Sequence, residues 1–183
     1  MRKWMISFSF LFSLFLIADV ALNFKTTDMF NGMLHLHSVL RWVILILLLL
    51  ALYKHIADRS KPFTPGHKKL GLYLMICADL LLLVGLYQWF AGNWGLKSIQ
   101  ANGLSMVMKD FRLRFFGIEH TTGMLIAIIL IHLGYAYGKK SVPDPQKHKR
   151  ILLYFGLALL IILISIPWPF RAVGDGRHWF PGM

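Results

Sequence analysis

The stretch Met33–Tyr53, MLHLHSVLRWVILILLLLALY, decides the fold. Its second half, from Trp42 on, offers no charged side chain and no polar stripe at helical spacing. Wound as a helix at about 1.5 Å per residue, the whole stretch is about 30 Å long, the hydrocarbon thickness of a bilayer. Backbone N–H and C=O groups in lipid must be satisfied within their own segment, so the run is read as a transmembrane helix. Its first half is different, because His35, His37 and Arg41 stand where lipid tolerates few polar groups.

Working outward, the same reading applies to Leu70–Phe90, Phe115–Tyr137 and Ile151–Ile166, and upstream to Trp4–Asn23. The chain is 57% hydrophobic and 15% charged, with a mean hydropathy of +0.59, which excludes a soluble domain of this length. The expected fold class is all-α, an integral membrane helical bundle. It has four core transmembrane helices in residues 26–183 and a fifth segment in residues 1–25. That fifth segment reads as a signal-anchor helix or a signal peptide. Arg2-Lys3 before a Phe- and Leu-rich run suits either, but Ala18-Asp19-Val20-Ala21 is a poor cleavage site, which favours a retained helix.

The formal charge of +12 raises the question of nucleic acid. Lys and Arg sit in short turns between apolar runs, without aromatic residues interleaved to stack bases, so no nucleic-acid partner is expected. The two basic turns are 54–69, interrupted by Pro62 and Pro65-Gly66, and 139–150, interrupted by Pro143 and Pro145. The positive-inside rule makes both cytoplasmic, with the Gly92–Arg114 loop and the C-terminus outside. Cys77 lies within an apolar run and has no second cysteine to pair with, so it reads as a small core hydrophobe. There is no phosphate-binding Gly-rich loop, no His-Glu-x-x-His and no nucleophile elbow.

Ionisable groups within a bilayer cost a few kcal/mol each and face the bundle interior. Helical rise places His37 and His120 at matching depth on different helices, as two imidazoles on opposite faces of one iron would be. Heme b suits such a pair in an apolar bundle, with metal ligands His37 and His120 and further cofactor contacts from Arg41 and Gly123. Arg41 stands one turn below His37, where it could meet a propionate or pair with Asp79 or Glu119. Gly123 belongs to a small-residue face (Gly123, Ala127, Gly134, Gly138) that either a flat ring or a neighbouring helix could approach. His35 projects away from His37 toward headgroups or water. His132 is expected near the cytoplasmic interface with His55 as its partner by depth, and His67, His148 and His178 are expected in solvent.

Three motifs are familiar: His35-Leu36-His37-Ser38-Val39-Leu40-Arg41-Trp42, Arg114-Phe115-Phe116-Gly117-Ile118-Glu119-His120 and Ile166-Pro167-Trp168-Pro169-Phe170-Arg171. In this order, over residue 32 to the C-terminus, the chain resembles small bacterial membrane proteins labelled cytochrome b or cytochrome-b-like. The resemblance implies a four-helix heme-b protein of electron transfer in the bacterial inner membrane, with His37 and His120 matching the family's most recognisable histidines. Residues 1–25 look like an extension to that pattern. Some relatives carry a histidine near Asp79 that this chain lacks, so the ligand set here is its own question. The function expected is a redox component rather than a stand-alone enzyme, working with a quinone or a redox partner protein, in a homo- or hetero-oligomer. The rival expectation is a non-enzymatic membrane subunit or scaffold without heme, whose buried polar residues are structural.

Overall fold

The computed structural model describes residues 26–174 and residue 179, so the first apolar stretch, with its anchor-or-signal question, and His178 lie outside the described residues. Five helices follow one another: α1 (Thr26–Ala57), α2 (Pro65–Ala91), α3 (Leu96–Lys109), α4 (Phe111–Tyr137) and α5 (Asp144–Ser165). All but α3 are long and apolar enough to cross a membrane, and the chain is a multi-pass membrane protein. Consecutive long helices run antiparallel. α1 packs on α2, α2 on α4, α4 on α5, and α5 returns to α1, closing the bundle.

Local chemistry sets the helix ends. Pro65 occupies the first turn of α2, where its missing N–H costs nothing, and the His67 ring reaches back to accept the Thr64 N–H at 3.0 Å. The Asp110 carboxylate accepts from the N–H groups of Arg112 and Leu113, both at 2.9 Å, and so starts α4. At the end of α5, Pro167 stops the helix. Trp168 Nε1 then donates to the Leu163 carbonyl at 2.9 Å, and the Arg171 guanidinium donates to the carbonyls of Ile164 and Ile166. Those bonds satisfy the last carbonyls of the helix, which have no partner of their own within it.

The core is a column of Leu48, Leu74, Ile131, Ile151 and Phe155, all essentially inaccessible. Outside, Ile46, Leu49, Ile129, Leu160 and Ile164 are exposed, as lipid-facing positions should be. The short α3 lies within the span 92–114 that the sequence suggests is a loop. It buries Val107 and Ser98 while exposing Leu104, Met106 and Met108, and Gly103, at φ 76°, breaks its run. Too short to span, α3 packs against α2 and the start of α4 at one end of the bundle.

At the opposite end, the α1–α2 turn is tied by Asp58, which takes hydrogen bonds from Lys61 (2.8 Å) and Lys54 (3.1 Å). These bonds hold its carboxyl well below the usual carboxylate range and raise Lys61 in return. The Phe63 N–H donates to Asp144 at 2.9 Å, joining the same turn to the start of α5.

Candidate functional site

His120 is carried into the bundle by an irregularity in α4. Residues Phe115–Glu119 form a π turn, which inserts one extra residue per turn and rotates everything after it. The turn leaves the Gly117 carbonyl to accept from Trp89 Nε1 on α2 at 2.8 Å, fixing its position. His120 then donates from Nδ1 to the Ser165 carbonyl on α5 at 2.7 Å. A carbonyl only accepts, so Nδ1 carries the hydrogen and, in the neutral ring, Nε2 carries the lone pair. This is the tautomer and the tether that metal-ligating histidines use.

His37 comes from α1 to meet it. The two ring centroids are 6.2 Å apart with their planes at 56°. Imidazole nitrogens about 2 Å from a metal, on opposite sides of it, put their ring centroids about 6 Å apart. The separation of the pair would therefore accommodate one ion held between the two rings, and it is looser than direct ring stacking. The rings line a cavity of about 500 Å³ together with Arg41, Gly85, Trp89 and Thr121. That volume is in the range of small-molecule sites, and most of the remaining wall is aliphatic. His37 Nδ1 is buried and has no hydrogen-bond partner among the described residues. An unmade bond of this kind costs about 1–3 kcal/mol unless another group completes it. Gly85 is what makes room for this ring, because a Cβ there would stand 3.3 Å from His37 Cε1.

The other sequence candidates divide. Arg41 lines the cavity and donates to Ser38 Oγ at 3.3 Å and to the Trp179 carbonyl at 2.9 Å, beside the Trp42 indole, which donates to that same carbonyl. The pairing of Arg41 with Asp79 or Glu119 expected from depth is corrected: Asp79 is paired with His132, Oδ1 to Nε2 at 3.2 Å, and Glu119 with Arg114 at 2.7 Å. Depth along an axis does not fix the rotation of a helix about it, which is what brings Asp79 to His132, whereas Arg114 and Glu119 pair within α4 across its π turn. His132 accordingly meets Asp79 rather than His55, and its Nδ1 donates to the Ile128 carbonyl at 2.9 Å. Gly123 does not reach the cavity. A Cβ on it would run into Ser165 on α5, as one on Gly134 would into Phe155, so most of the small-residue face serves α4–α5 packing. Ala127 alone of that face is on the cavity wall. His35, exposed as expected, stands at the cavity rim.

Two histidines expected in solvent are interior. His67 is 2% and His148 0% exposed, gathered around the equally buried His55 at the basic-turn end. Both lie within the first five residues of a helix, ahead of the apolar run. Thr64-Pro65 and Pro143-Asp144-Pro145 were the available signals that those helices start early.

Compared with family models, with curated proteins and with solved structures, the chain finds no match.

Proposed function

We propose that this chain is a b-type cytochrome-like membrane protein, in which His37 and His120 bind one heme b and electrons pass through it one at a time. The observation that carries the reading is the 6.2 Å separation of the two rings at the wall of a cavity of about 500 Å³. The donor chemistry fits: the His120 ring is oriented by its Nδ1 bond to Ser165, and His37 has an imidazole nitrogen with no protein partner among the described residues. Heme b, when bound, supplies a one-electron iron couple. The chain's own residues orient and insulate. The Ser165 carbonyl fixes the His120 ring, Gly85 leaves room for His37, and the aliphatic wall excludes water. Arg41 would hold a propionate and, as a nearby positive charge, raise the potential.

In this reading the protein is a redox component of a bacterial inner membrane. The turns 54–69 and 139–150 are cytoplasmic, and the His37–His120 cavity lies toward the outer face, accessible to a quinone or a redox partner protein. The scaffold alternative is favoured by one observation: Asp79, Glu119 and Arg41 all have protein partners, as structural polar groups would. It gives no account of the buried His37 nitrogen, which has no hydrogen-bond partner among the described residues.

The test is a reduced-minus-oxidised optical spectrum of the full chain, purified in detergent from heme-replete cells. A low-spin b-type spectrum is expected, lost in His37→Ala and His120→Ala. A colourless preparation that takes up no heme on titration overturns the proposal and leaves the scaffold.

A further inference from the structure

We infer that His55, His67 and His148 form a second, independent site that binds a single divalent transition-metal ion and clasps α1, α2 and α5 together at the basic-turn end of the bundle. Each histidine comes from a different helix, and one nitrogen from each lies within 4.8 Å of the others. The centroids are 5.1 Å apart for His55–His148, 5.2 Å for His55–His67 and 4.8 Å for His67–His148. Two imidazoles on a tetrahedral ion, with nitrogens about 2 Å from it, have centroids about 5 Å apart. All three pairs have this spacing, whereas the His37–His120 pair, at 6.2 Å, has that of ligands on opposite sides. The surroundings separate the two sites as well. The cavity that borders His55 and His67 is only about 10 Å³, far too little for a macrocycle.

The hydrogen-bond inventory points the same way. His55 Nδ1 meets His148 Nδ1 at 2.8 Å, so one ring donates and the other accepts, and His148 Nε2 is left buried without a partner among the described residues. His148 is 0% exposed, and an orphaned nitrogen there is unusual without a further ligand. His67 accepts from Thr64 at Nδ1, so its Nε2 carries the hydrogen donated to Asp58 at 3.1 Å. Ion binding trades one of the His67 bonds for a metal–nitrogen bond. Retaining the Asp58 bond gives the carboxylate–histidine–metal arrangement that orients ligands in many sites. Three neutral imidazoles with no thiolate suit zinc, cobalt or copper rather than magnesium or calcium. The fourth position is left to water. Lys54 and Lys61, the closest cations to the cluster's carboxylate, are both engaged by Asp58.

The probe is Co2+ alone, added to the full chain in detergent, purified without a polyhistidine tag and stripped with chelator. One equivalent should bind per chain with the visible bands of a tetrahedral cobalt–imidazole site, and Zn2+ should displace it. His148→Gln and His67→Gln, checked for a monodisperse helical protein, should each weaken binding by 100-fold or more, while His35→Ala should leave it unchanged. His148→Gln should not alter any heme spectrum, so failure of this site and failure of the heme reading are separable. Absence of stoichiometric binding to the unmodified chain, octahedral bands only, or unchanged binding in both Gln variants overturns the inference.

Discussion

Gly134→Ala puts the packing of α4 on α5 to a quantitative test. A Cβ at residue 134 would lie 2.7 Å from Phe155 Cδ1 and 3.3 Å from Cζ, and nearer still to Cε1, where ordinary contact begins at about 3.4 Å. The ring has nowhere to go. Phe155 is 1% exposed, the His55 ring stands edge-on to it at 6.2 Å, and a Cβ at Gly71 would already be in contact with its Cζ. Overpacking of this kind costs about 1–3 kcal/mol. The better helix propensity of alanine returns at most about 1 kcal/mol, and less in lipid, where the neighbouring helix rather than water faces the backbone. The expected net loss is about 1–2 kcal/mol, read as a lower midpoint in reversible unfolding in mixed detergent micelles. Phe155→Leu alone should cost about 1 kcal/mol through lost packing, and the double variant should be less destabilised than the two losses added together. The reasoning is refuted if Gly134→Ala is neutral or stabilising, or if the two losses simply add.

Other outcomes follow from single contacts. In Gly85→Ala the His37 ring must retreat by a few tenths of an ångström, so the optical spectrum of the heme-loaded chain should broaden or shift with the fold intact; a spectrum superimposable on the parent's would refute that role for Gly85. Asp58, held low by Lys61 and Lys54, contributes stability that is fully present above the ordinary carboxyl pKa of about 4 and fades as pH falls below it. Thermal unfolding of Asp58→Asn between pH 3 and pH 7 should therefore show a flatter acid limb than the parent, and parallel limbs would count against the contact. Asp79→Asn and His132→Gln should couple by about 0.5–1 kcal/mol in a double-mutant cycle, since the pair is half-exposed; zero coupling would mean the contact contributes nothing.

The bundle was legible in the sequence because lipid allows few solutions. Apolar runs of bilayer length have to be helices, and the prolines at 65, 145 and 167 mark where they start and stop. Axial rise also carried information about the cavity site: His37 and His120 can be matched in depth by counting residues. Rotation could not be counted. The turn of Gly123 toward α5 and the Asp79–His132 pair depend on how each helix is rolled against its neighbours, which side-chain volumes in the packed core decide, while the π turn before His120 and the Arg114–Glu119 pair beside it are irregularities within α4 that hydropathy does not register.

Helix ends were the second blind spot. Hydropathy marks where a helix turns apolar, at Leu70 and Ile151, but the helices start a turn or two earlier, at Pro65 and Asp144. His67 and His148 lie in those polar opening residues, and only the fold could bring them onto His55. The sequence alone thus determined that four of the described helices are long and apolar enough to cross a membrane and that His37 and His120 stand at one level, because hydrogen-bond satisfaction in lipid and axial rise are properties of each segment by itself. Which imidazoles face one another was decided by tertiary structure, because azimuth is set between segments.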